Sequence, residues 1–151
     1  SAILTRSSAS TALAAASVAI AAHEVGHAIQ HEKSYAPFRL RSAMWPAVAF
    51  ASNAWLFLLM GGAFMQVLGM IQLALILFSV VVLFQLVTLP VEFDASRRAM
   101  VQVAGMGLVT QSERAGAKKV LSAAAMTYVA GALAALSQLL YFILAFLGSR
   151  E

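Results

Sequence analysis

Between Arg41 and Glu92 the chain runs for 50 residues without one formal charge. A helix needs about 20 predominantly apolar residues to cross a bilayer, so this run holds two spans and a turn. Gly61-Gly62 is the expected break, with one span near 44–59 and a second near 68–89. A third uncharged run covers Val120–Ser149, with its apolar core near 123–147. Hydrophobic residues make up 62% of the chain and charged residues 11%, with a mean hydropathy of +0.86. That balance excludes an ordinary soluble globule. The expected fold is an all-α, membrane-embedded helical bundle of about three transmembrane helices in a single domain, 1–151, with the lipid bilayer as its main partner.

The net charge of +4 would suggest nucleic acid as a partner of a soluble domain. Here the basic residues flank the apolar runs and form no stripe, so no nucleic acid is expected. Nine of the ten lie in the segments 1–42 and 92–119: Arg6, Lys33, Arg39, Arg41, Arg97, Arg98, Arg114, Lys118 and Lys119. Cytoplasmic segments carry the excess of Lys and Arg. Both segments are therefore expected in the cytoplasm, and the hairpin tip and Arg150 outside. The absence of cysteine removes disulfides and thiolate chemistry.

Residues 9–32 have an apolar stretch of only about 14 residues, short for a span. Ser10-Thr11 is a suitable cap, and the expectation is an interfacial helix whose alanines permit close helix approach. Segment 95–119 reads as a charged, partly helical connection, with breaks at Gly105 and Gly107.

The short helix carries the chemistry, in His23-Glu24-Val25-Gly26-His27. Histidines four apart share one helix face and can reach one metal ion, with Glu24 beside them as catalytic base. Catalytic zinc takes three protein ligands and keeps one position open. His31 continues the spacing, but eight residues of helix put it about 12 Å from His23, so it is expected at the surface. Among the carboxylates, Glu32 lies off the His23/His27 face, Glu113 falls in a charged loop, and Glu151 lies on the opposite side. Gln85, Thr88 or Leu89, Glu92 and Ser96 lie along one face as a polar stripe leaving the second span, and polar groups at membrane depth face a bundle's interior. Glu92 is therefore the expected third ligand.

The stretch from Ala21 to Gln30 resembles the YugP-type neutral zinc metallopeptidases of bacterial membranes. So do Tyr35–Ser42, the segment Val82–Ala99 with Leu89-Pro90-Val91-Glu92-Phe93, and Ala123–Tyr141. The resemblance implies a multi-pass peptidase of the bacterial inner membrane, with Zn²⁺ as cofactor, a protein or peptide substrate, and a glutamate as distal ligand. Glu92 occupies that place. Related membrane zinc proteases carry an aspartate four residues after the ligand glutamate; here Ser96 stands there, and Asp94 falls at a different angle. Asp94 and Ser96 are candidates for orienting a ligand histidine, and Arg97, Arg98 and Tyr128 for an oxyanion donor. Asn53, Trp45 and Trp55 are expected to serve packing or anchoring. The expected function is a zinc-dependent endopeptidase acting at the cytoplasmic membrane interface. The alternative is a catalytically inactive, metal-binding membrane scaffold or interaction protein. Oligomeric state is not legible.

Overall fold

The structure, a computed structural model, describes the backbone of residues 2–107 and 110–149, and the side chains of 10–107, 110, 111 and 113–149. The side chains of Arg6, Arg150 and Glu151 lie outside the described residues. Four helices account for nearly all of the described chain: α1 (Ala2–Glu32), α2 (Ala36–Met65), α3 (Leu68–Gly105) and α4 (Gln111–Gly148).

Two helix boundaries differ from expectation. The chain does not break at Gly61-Gly62; α2 continues to Met65 and turns at Gln66, which takes a φ of 55°. The Val67 N–H bonds back to the Gly62 carbonyl at 2.9 Å, closing a left-handed helix cap. Gly62 has a packing role instead, because a β-carbon there would lie 2.9 Å from Met70 Cβ at the start of α3. Ser10-Thr11 likewise lies inside α1 and does not cap it. Its other end closes as expected of a Schellman motif: Ser34 has a φ of 51°, its N–H bonds the His31 carbonyl, and the Tyr35 N–H bonds the Gln30 carbonyl.

Glu113 is not a loop residue. Thr110 and Glu113 form a capping box at the head of α4: the Thr110 N–H and hydroxyl both donate to Glu113 Oε2 at 2.8 Å. The expected break after residue 105 is present, with α3 ending at Gly105 and Gly107 at a φ of 62°.

Among the described residues, four helical segments are long and apolar enough to cross a membrane, at Ser10–Glu32, Ala36–Met65, Leu68–Gly105 and Glu113–Gly148. The expectation was about three spans with α1 at the interface; by length and composition α1 qualifies as well. Its run of small alanines carries little apolar area per residue, yet 23 residues at a mean hydropathy of 1.4 meet the requirement.

The chain divides into two compact units. One comprises the sequence through Phe38 together with Leu89–Thr127. Its core is built from small side chains: Ala19 and Ala22 of α1, Ala99 and Val103 of α3, and Ala117 and Leu121 of α4. Such residues let helix backbones approach closely where water does not drive association. The other unit comprises Arg39–Thr88 and the chain from Tyr128 onward. There Trp55 stacks on Phe78 at 4.4 Å between centroids, and Phe142 meets both rings. Trp55 thus has the packing role expected of it. Trp45 is exposed beside Phe84, and Asn53 satisfies its amide on the Ala49 carbonyl of its own helix.

Candidate metal centre

The site lies within the first unit, where α1 meets the second half of α3. Ala15, Ala19, Ala22 and Gly26 recur every three or four residues along α1 and are all buried, which is the spacing of one helix face. Ala95 and Ala99 of α3 are also fully buried. At Gly26 the two backbones come so close that an added β-carbon would sit 3.0 Å from the Ala95 carbonyl carbon. Within one turn of that crossing the polar residues meet.

His23 and His27 project from the same face of α1 with their rings edge to face, 4.7 Å between centroids. Glu92 of α3 is 3% exposed and reaches both. Its Oε2 lies 3.0 Å from His23 Nε2 and 3.6 Å from His27 Nε2. One ligand atom from each of the three residues fits within a mutual 4.8 Å. Tetrahedral zinc with bonds near 2 Å would space its ligand atoms about 3.3 Å apart. Two imidazole nitrogens and a carboxylate oxygen are also a donor set that zinc favours. The residues present therefore fit a zinc ion in both geometry and chemistry.

A second layer of contacts orients the rings. Ser96, one turn beyond Glu92, places its hydroxyl 3.2 Å from His23 Nδ1. Gln30 holds His27. Its amide NH₂ donates to the Val91 carbonyl at 2.8 Å and to Asp94 Oδ2 at 2.9 Å. With both acceptors on that side, the amide oxygen must face the ring, and it lies 2.9 Å from His27 Nδ1. That nitrogen therefore carries the proton, and the lone pair of Nε2 points toward Glu92 and the metal position.

Asp94 anchors this relay. It is 6% exposed, a costly place for a carboxylate without partners. Arg97 bonds its Oδ1 at 2.7 Å and Arg98 its Oδ2 at 2.6 Å. The Arg98 guanidinium also lies over the Tyr35 ring, 5.6 Å from its centroid.

The structure thus gathers His23, His27, Glu92, Ser96, Asp94 and Arg97 in one unit. Glu24 is exposed, one position after His23. Tyr128 belongs to the other unit and is 39% exposed. His31 is exposed, as expected, and lies outside the ligand triad, edge-on to Phe38. Two residues escaped the reading of the sequence. Gln30 was detectable, because positions 23, 27 and 30 share one helix face and a polar residue there adjoins the histidines. Gly26 lies inside the motif, but its role requires knowing what crosses it.

Comparison with known proteins gives the same reading. The chain is 48% identical over 134 residues to the "Putative membrane protease YugP" of Bacillus subtilis (strain 168), a match covering 89% of this chain and 60% of that protein. The chain thus spans less than two thirds of that relative's length. No solved structure matches it. Residues 4–147 match the model of the family described as "Putative neutral zinc metallopeptidase", and the chain belongs to that family.

Proposed function

We propose that this chain is a zinc-dependent endopeptidase that hydrolyses peptide bonds at the cytoplasmic face of a bacterial inner membrane. The observation that carries the reading is the convergence of His23 Nε2, His27 Nε2 and Glu92 Oε2, with Glu24 exposed on the next helical position. His23, His27 and Glu92 would hold the ion. Bound there, zinc supplies Lewis-acid polarisation of a substrate carbonyl and lowers the pKa of a water molecule at its open position.

The chain's own residues do the remaining work. Glu24 accepts the proton of the attacking water and passes it to the leaving amine. Gln30 keeps His27 in the tautomer that presents Nε2, and the Ser96 hydroxyl, which can donate or accept, orients the His23 ring. Asp94, neutralised by Arg97 and Arg98, holds the Gln30 amide in place.

Helix length supports the interfacial location. α3 has 38 residues, about 57 Å at 1.5 Å per residue, against a hydrocarbon core of about 30 Å. Its uncharged first part is long enough to cross, which leaves the charged part from Glu92 onward at or beyond the boundary. The basic residues around the site favour the cytoplasmic side.

The test is zinc content alongside cleavage of unfolded casein, for wild type and Glu24→Gln. Expected are one zinc in each protein and a loss of cleavage in the variant of roughly 10²- to 10⁴-fold, the scale of a general base. One zinc in both with cleavage in neither would favour the non-catalytic, metal-binding scaffold. Zinc in neither would overturn the site.

A further inference from the structure

A cavity of about 260 Å³ lies within the first unit between α3 and α4. Phe93, Met100, Leu121, Ala125 and Met126 give it apolar walls, and Ser96 and Ser122 add hydroxyls. Two cations, Arg97 and Lys118, also line it, and no carboxylate does.

Three features connect this cavity with the metal centre. Phe93 directly follows the ligand Glu92 in sequence. Ser96 is shared, since it lines the cavity and its hydroxyl lies 3.2 Å from His23 Nδ1. Arg97 is shared as well, reaching Asp94 through one Nη while its side chain remains 77% exposed. A guanidinium has five donors, so Arg97 can serve Asp94 and still present others to a ligand. The volume is below the roughly 300 Å³ at which sites for small molecules begin. It suits one or two amino-acid side chains.

We propose that this cavity is the subsite that selects the substrate, taking a large apolar side chain beside the scissile bond, with an adjacent carboxylate paired to Lys118 and Arg97. The assignment rests on the peptidase reading above. The apolar walls reward burial of an aromatic or long aliphatic side chain. Lys118, together with the donors of Arg97 that Asp94 does not engage, favours an acidic neighbour, either an Asp or Glu side chain or a C-terminal carboxylate, and disfavours Lys or Arg. Substrates would then be unfolded or frayed segments in which an apolar residue stands next to an acidic one.

The test uses four fluorescent peptides that differ at two adjacent positions: Phe-Asp, Phe-Lys, Ala-Asp and Ala-Lys. Binding is measured on detergent-purified, zinc-loaded Glu24→Gln protein, so that affinity is read without turnover, and cleavage on the protein with Glu24 intact. Phe-Asp is expected to bind about five- to tenfold more tightly than Phe-Lys, the scale of a partly exposed charge pair read in both directions. Lys118→Glu should reverse that order. Ser122→Phe, at an exposed position of the wall, should cost the Phe peptides about tenfold and leave the Ala peptides as they were. Unchanged zinc content in each variant verifies the fold.

An unchanged Asp/Lys ratio in Lys118→Glu would overturn the proposal. So would an equal loss for Phe and Ala peptides in Ser122→Phe, or peptide binding that bilayer lipid abolishes whatever the charge at 118, which would assign the cavity to an acyl chain. Peptide binding in the expected pattern without Glu24-dependent cleavage would keep the subsite and refute the peptidase. Cleavage without the pattern would do the reverse.

Discussion

A β-carbon at Gly26 would lie 3.0 Å from the carbonyl carbon of Ala95, so α1 and α3 touch backbone to backbone at the centre of the candidate metal site. The contact falls between His23 and His27 in sequence and between Glu92 and Ser96 on the facing helix. The distance from the histidines to Glu92 is thus controlled by a residue with no side chain.

Gly26→Ala should therefore open the crossing and separate the ligands. The obstruction is backbone, which cannot rotate away as a side-chain tip would, so an overpacking cost of about 1–3 kcal/mol is expected. Zinc binding should weaken severely although all three ligands are intact. Zinc titration of the purified variant checks this, and wild-type affinity would show that the crossing has slack.

Glu92→Ala should release the metal. The substitution removes one of three protein ligands and the acceptor that sits 3.0 Å from His23. Helical content by circular dichroism should stay near wild type, because the small-residue core is untouched. Stoichiometric zinc in Glu92→Ala would mean that another carboxylate serves.

Gln30→Met keeps approximate volume and removes the amide. His27 then loses the acceptor for its Nδ1 proton, and the Val91 carbonyl and Asp94 each lose a donor. Metal affinity should fall about 10- to 100-fold, as when the hydrogen-bond partner of a ligand histidine is removed. A competition titration against a zinc chelator measures it. Asp94→Asn should give a smaller loss, since it acts on His27 only through Gln30.

Ser34 closes α1 with a φ of 51°, a conformation that costs an L-residue about 1–2 kcal/mol. Ser34→Gly should raise the thermal unfolding midpoint of the purified protein, with part of the gain returned as the extra backbone entropy of glycine. Zinc content should not change, because the Ser34 side chain is exposed and lies beyond the end of α1, outside the triad.

Much of the site was legible because metal chemistry constrains a sequence tightly. His23 and His27 need a four-residue spacing, and Glu92 stood where a polar stripe left an apolar span. Gln30 and Gly26 were harder to see, since each takes its meaning from α3, 61 or more positions away in sequence. The helices were legible from their uncharged runs, yet the turn at Gln66 was misplaced. Two adjacent glycines read as a break, whereas Gly62 is needed where α2 passes Met70 and Ile71. Glu113 was read as part of a loop because its partner Thr110 was not recognised as a cap.

His23 and Glu92 stand 69 positions apart, so the candidate triad can form only after most of α3 has been synthesised. A nascent chain that ends with α2 carries both histidines of the candidate triad and lacks Glu92. The triad closes where the second half of α3 meets α1, and Gln30 and Asp94 are buried there as well. Formation of the candidate metal centre is thus tied to the same contact that completes the helix crossing.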